Sequence, residues 1–227
     1  MKQADRRMAG WADRAAVVLL VLLSAYPPIR LSAQTVTLGP QLLLGDYREV
    51  SSALQYRGGG LGAAATFSHK KASLEVAYVQ LKYEPSEDGS GLESFHARQF
   101  DARLRYALTR AVSAEVGVTN RSVDPDFAAQ SVGAARVGVR LSNVIGSGVR
   151  LNLRGNYLLR ARFSGGGSAP VGLEIAFGAI GEFAHGHLRL TTDYEFQYFD
   201  RKTDDGSGEV SVPIQQSLVR IGVAVGF

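Results

Sequence analysis

The chain has 227 residues, with 25 Lys and Arg against 21 Asp and Glu, 26 Gly, 7 Pro and no Cys. The lack of cysteine excludes disulfides, thiolate metal sites and a lipid-modified N-terminal Cys. The net charge of +4 is concentrated at the start: beyond residue 34 the chain holds 20 basic and 19 acidic residues, which gives no basis for nucleic-acid binding.

Residues 1–34 read as a removable signal peptide. Lys2, Arg6, Arg7 and Arg14 form a basic region, and Ala15–Leu23 is an unbroken apolar run. Leu31-Ser32-Ala33 supplies a small-residue cleavage site. The apolar stretch, even extended to Tyr26, is too short to cross about 30 Å of hydrocarbon, which takes about 20 apolar residues.

Residues 35–227 show alternation of period two rather than a helical stripe. Ten segments are predicted as strands: 35–47, 57–68, 72–84, 95–108, 112–123, 132–143, 148–162, 172–184, 187–200 and 215–227. Eight is the alternative count, if Thr35–Tyr47 or the Ala-rich Leu61–Phe67 does not span. Short links (His69–Lys71, Thr109–Ala111, Val144–Ser147, His185–Gly186) alternate with long polar ones (Arg48–Tyr56, Pro85–Ser94, Asp124–Ser131, Ser164–Pro170, Arg201–Ile214). Gly58-Gly59-Gly60 and Gly165-Gly166-Gly167 fall at predicted loop tips. Neither is followed by a Lys-Ser pair or a helix, so both read as flexible links rather than phosphate cradles.

The faces of the segments are sharply divided. In the fourth, Phe100, Ala102, Leu104, Tyr106 and Leu108 alternate with Gln99, Asp101, Arg103 and Arg105. The seventh sets Val149, Leu151, Leu153, Tyr157 and Leu159 against Arg150, Asn152, Arg154, Asn156 and Arg160. The ninth sets Leu188, Leu190, Tyr194, Phe196 and Tyr198 against Arg189, Asp193, Glu195 and Gln197. In the last, Val219, Ile221, Val223, Val225 and the terminal Phe227 lie on one face, and Arg220 with small residues on the other.

That last strand resembles the closing strand of Gram-negative outer-membrane β-barrels, in which a terminal Phe and alternating hydrophobics are read by the barrel-assembly machinery. The resemblance implies an all-β, antiparallel up-and-down transmembrane β-barrel in the cell outer membrane. Lipid and lipopolysaccharide would surround it, and the assembly machinery would be its partner during insertion. In such barrels the turns on the periplasmic side are short and the outer loops longer, which the alternation of links matches. Phe67, Tyr106, Phe183 and Phe227 then fall near periplasmic strand ends, and Tyr83, Phe163 and Tyr198 near outer ends, as two aromatic girdles. The alternative is a soluble lipocalin-like barrel, with the apolar faces turned inward.

With the apolar faces turned to lipid, the lumen receives Arg103, Arg105, Arg136, Arg140, Arg150, Arg154, Arg160, Arg189 and Arg220. They would meet Glu75, Asp101, Glu115, Glu174, Glu182, Asp193 and Glu195. A charge stranded in a narrow lumen is costly, so pairing is expected, and Arg suits it because its planar fork donates two bonds to one carboxylate. A ten-stranded barrel is only slightly wider than one whose side chains just fill it. The expectation is a largely plugged barrel with a structural or surface-interaction role. A narrow channel for small solutes is the alternative, followed by a membrane enzyme.

Catalytic signals are thin. His96 lies at an outer strand end near Glu93, Ser94 and Asp101, but Ser94-Phe95-His96 reverses the His-x-Ser order of lipid A deacylases. Asp88-Gly89-Ser90-Gly91 and Asp205-Gly206-Ser207-Gly208 read as tight reversals rather than Ca²⁺ or Mg²⁺ loops, since EF-hand spacing is lacking. Neither a metal nor another cofactor is expected.

Overall fold

In the computed structural model the described residues are 34–227, apart from residues 53, 87–91, 125–130, 147, 184–186, 205 and 207. The expected signal peptide and the Asp88–Gly91 reversal lie outside them. Ten strands run through the described residues: β1 (Gln34–Glu49), β2 (Leu54–His69), β3 (Ala72–Pro85), β4 (Phe95–Ala107), β5 (Val112–Asp124), β6 (Val132–Ile145), β7 (Val149–Phe163), β8 (Ser168–Phe183), β9 (Leu188–Asp204) and β10 (Glu209–Gly226).

Each strand pairs antiparallel with its sequence neighbours, and β1 pairs with β10, closing the sheet into a barrel. The closing seam runs from Thr37–Gly226 to Glu49–Ile214. It is fastened at the terminal end by Phe227 N–H donating to Val36 O at 2.9 Å. The eight-strand count is therefore set aside: β1 and the Ala-rich β2 are paired along their whole length.

The strands are longer at one end than the sequence predicts. Three of the expected long links shrink to the residue ranges 50–53, 164–167 and 205–208, because the flanking chain continues as paired strand. Gly58, Gly59 and Gly60 are not a linker but lie inside β2, paired to Tyr83, Lys82 and Leu81 of β3. Their clustering reflects close packing in a strongly coiled sheet: a Cβ at Gly58 would collide with the Lys82 carbonyl oxygen, and one at Gly60 with that of Gln80.

Two solvents are written on the outer face. Toward the end carrying Gln34 and Phe227, here the terminal end, outward positions are apolar and exposed: Leu104 and Tyr106, Val116 and Val118, Val137 and Val139, Leu151 and Leu153, Ile221 and Val223. On β7 this belt runs from Val149 to Leu159. Ten steps of about 3.4 Å at a tilt of about 40° give about 26 Å, close to the ~25 Å apolar band of a membrane barrel. Toward the opposite, loop end the outward side chains become polar: Lys82 and Glu84, His96 and Arg98, Asn120, Ser122 and Asp124.

The inside changes in the opposite sense at the same level. Against the apolar belt the interior is charged. Against the polar collar it is a hydrophobic core of Leu43, Tyr47, Tyr56, Val79, Leu81, Tyr83, Phe95, Leu158, Phe163, Phe199, Ile214 and Leu218, among others. Tyr83 and Phe163 thus belong to this core and not to an outer aromatic girdle. Tyr83 shares its inward parity with Val79 and Leu81, and a bulge in β7 turns Phe163 inward.

Candidate functional site

The charged interior is built from alternate residues of eight strands, β3 to β10, while β1 and β2 contribute only uncharged groups at this level. Its centre is Glu195 on β9, fully buried. Its Oε2 accepts from Arg103 Nη2 at 2.8 Å, Arg154 Nη2 at 2.6 Å and Arg220 Nη1 at 2.9 Å. Its Oε1 accepts from Arg220 Nη2 at 3.2 Å and Gln197 Nε2 at 2.8 Å.

Around it the other carboxylates are shared in the same way. Glu174 is ion-paired with Arg136 Nη1 at 3.0 Å and accepts from Arg154 Nε at 3.1 Å and Asn156 Nδ2 at 2.9 Å. Asp101 takes Arg136 Nη2 at 2.6 Å and Gln99 Nε2 at 2.9 Å. Glu115 takes Arg140 Nε at 3.1 Å, Arg140 Nη2 at 2.9 Å and Asn156 Nδ2 at 3.0 Å. Glu75 meets Arg103 at 3.2 Å, and Asp193 meets Arg154 at 3.1 Å and Arg220 at 3.3 Å. Every guanidinium here bridges at least two strands, so the network ties the wall across the lumen as well as along it.

At the terminal end the network loosens into a rim. Arg189 pairs with Glu182 at 3.3 Å, and Arg150 reaches the same carboxylate only at 3.9 Å. Arg105, half-buried, donates to Ser73 Oγ at 3.0 Å. A cavity of about 140 Å³ opens between network and rim, lined by Thr37, Gln41, Glu75, Arg140, Arg189 and Asp193, among others. At about 30 Å³ per water it has room for roughly five waters.

Arg160 is a correction. Sequence parity sends it inward, yet the side chain is exposed on the outer face. Between the pairs Gly133–Arg162 and Ala135–Leu159, Arg160 and Ala161 together oppose Ala134, a β-bulge in which Arg160 takes φ +52°. The extra residue reverses the alternation, so Ala161 and Phe163 enter the core while Arg160 and Arg162 leave it.

Toward the loop end the lumen is filled by aromatic rings. Tyr83 stacks on Phe95 at 4.9 Å, Tyr56 meets Phe95 edge-on at 5.0 Å, and Tyr47 packs edge-on against Tyr56, Tyr83 and Phe95. Arg121 lies over the Tyr47 ring at 5.5 Å and Arg201 over the Phe163 ring at 5.3 Å. The sequence reading missed both cations as members of the interior. Their odd parity on β5 and β9, shared with Glu115 and Glu195, was the available signal.

The catalytic candidate comes apart. His96 is exposed on the outer face between Lys82 and Asp124 on the neighbouring strands, whereas Asp101 is buried in the lumen against Arg136. Five residues apart on one strand, the two side chains point to opposite faces. In the β9–β10 reversal Asp204 Oδ1 accepts from Gly206 N–H at 2.8 Å, as a turn residue does. Among the described residues, no group of three or more His, Cys, Asp or Glu is placed to hold a metal ion.

A closed, ten-stranded, up-and-down antiparallel barrel with this division of faces defines the class: the chain has the fold of a small Gram-negative outer-membrane β-barrel. Among solved structures it is similar to the outer membrane protease OmpT of Escherichia coli, with 8% identity, a TM-score of 0.51, and coverage of 89% of this chain and 99% of that one. An outer membrane channel from Pseudomonas putida F1 aligns with 12% identity over 89% of this chain and 98% of that one, at a TM-score of 0.49. Neisserial surface protein A aligns with 14% identity over 85% and 97%, at a TM-score of 0.44. At these identities the likeness is one of fold. No protein-family model matches the chain, and no characterised protein matches it in sequence.

Proposed function

We propose that the chain is an outer-membrane barrel that passes no solute and serves a structural or surface-interaction role, with its loop end outside the cell and its terminal end in the periplasm. One observation carries this reading: the lumen is obstructed twice over. The Glu195-centred network fills the membrane-level half, and the aromatic core fills the half beyond it. The exposed apolar belt and its height support insertion in a bilayer. Catalysis has no support in the interior, where the buried carboxylates are held by arginines, or at His96, which faces outward while Asp101 of the same segment is buried in the lumen.

The test is conductance of the purified barrel in a planar bilayer. The expected result is insertion without steady current across the physiological voltage range. Steady, reproducible conductance steps would overturn the closed reading and promote a narrow channel, with the 140 Å³ rim cavity as its vestibule.

A further inference from the structure

The bulge in β7 turns two nearby arginines outward, just past the last apolar residues of the belt. On this strand Tyr157 and Leu159 face out below them, and Arg160 and Arg162 follow. The offset extends into β8, whose register against β9 shifts between Ser168 and Gly172, so that Pro170 and Val171 are both exposed beside them.

Among the described residues, neither guanidinium is answered by a carboxylate. Three other outward cations of the collar are: Arg57 faces Asp46 at 3.8 Å, Lys82 meets Glu84 at 2.7 Å, and Lys202 meets Glu209 at 3.0 Å. Arg48 and Arg98 are outward as well, but each stands singly on its strand, whereas Arg160 and Arg162 stand together. The flanks of the pair are also low. Gly133, cross-strand from Arg162, has open space where a Cβ would stand, and Ser168 on the other side is small. Bulky apolar neighbours lie immediately toward the belt: Tyr157, Val171 and Leu173 are all exposed.

From this we infer that Arg160, Arg162 and the apolar surface beneath them form a site for a phosphate-bearing membrane lipid of the outer leaflet. The guanidinium forks would take the headgroup phosphate by paired, charge-assisted hydrogen bonds. Tyr157, Val171 and Leu173 would lie along its acyl chains. A free phosphate would gain nothing from that apolar wall, whereas a lipid meets both halves of the site at once. The bulge sets the register that the site requires: in a regular strand both arginines would enter the hydrophobic core. The inference rests on the membrane orientation proposed above.

The experiment uses the whole barrel in phosphatidylcholine vesicles doped with lipid A, or with lipid A from which the phosphates have been removed. Lipid retained on the released barrel is counted by native mass spectrometry. The wild type is expected to keep lipid A about tenfold more than its dephosphorylated form, as two paired contacts imply. A double variant, Arg160→Asn with Arg162→Gln, is expected to keep both equally poorly, Asn being tolerated at positive φ. Equal retention of the two lipids by the wild type overturns the site. That comparison needs no variant, so it decides the matter even if the double variant does not fold. Failure of the wild type to float with vesicles of either kind would instead overturn the membrane reading.

Discussion

Replacing Glu195 by Gln removes one charge and almost no volume from the centre of the lumen. Three arginines, Arg103, Arg154 and Arg220, reach its Oε2 within 2.6–2.9 Å, so the substitution touches the most shared oxygen in the network. The amide keeps one acceptor and turns an N–H₂ toward guanidinium donors. Glu75, Asp101, Glu174 and Asp193 remain within 4.0 Å of those arginines, but each already serves another or is partly exposed. Breaking a buried ion pair by removing one partner typically costs about 3–5 kcal/mol, and the excess of positive charge left in a dry lumen places Glu195→Gln in that range. The assay is reversible unfolding in urea from lipid vesicles. Glu182→Gln is the control, because its partly exposed rim pairs are expected to contribute about 1 kcal/mol or less. If Glu195→Gln and Glu182→Gln prove equally mild, the lumen is hydrated and screened, and the argument for a plug fails. A current appearing only in Glu195→Gln would show that the network is the seal.

Leu153→Arg, at a belt position 50% exposed, is expected to lower stability by about 2–4 kcal/mol in vesicles, and a neutral effect would favour a water-soluble barrel. Tyr56→Ala, in the fully buried aromatic cluster, should lose about 3–5 kcal/mol in the same titration, because the fixed rings around it cannot collapse into the space. Deleting Phe227 removes a residue that is 78% exposed yet hydrogen-bonded through its backbone to Val36 at the seam, so slower assembly in cells is expected with little change in core stability. Normal outer-membrane levels of the truncated chain would refute its role as an insertion signal. Cysteines at Ser52 and Gly165 should label from outside intact cells, and one at Arg110 should not; the reverse pattern would invert the proposed topology.

Strand number and order were legible because each apolar dyad is long and its breaks are rich in Gly, Asp and Ser. The charged residues of the lumen could be assigned from parity alone wherever a strand keeps its register, as β4 and β9 do. Parity failed at Arg160, because a one-residue bulge leaves no clear mark in a stretch that reads Leu-Leu-Arg-Ala-Arg-Phe. It failed differently at Tyr83 and Phe163. The rule that charges face in and apolar groups face out holds along only part of each strand, and beyond that level it is reversed. The polar stretches read as long loops are the outer faces of paired strand, an environment that alternation analysis confuses with loop when the inward partners are Gly58 and Gly60. Bridging between strands, such as the sharing of Glu195 by three arginines, depends on barrel closure and could not be read from any one segment.

In the proposed membrane orientation, the exchange of faces at a single level also orders assembly in time. The collar segments carry Lys82, Glu84, Asp200 and Lys202 on the very side that must slide past hydrocarbon, so their hairpins have to be delivered through the bilayer as pairs before they reach water. Only on the far side does turning Tyr47, Tyr83, Phe95 and Phe199 toward one another become favourable, because only there does water surround the strands. The membrane-level half can close while insertion is under way, but the collar must condense afterward, as a small soluble protein does, on a base already sealed beneath it.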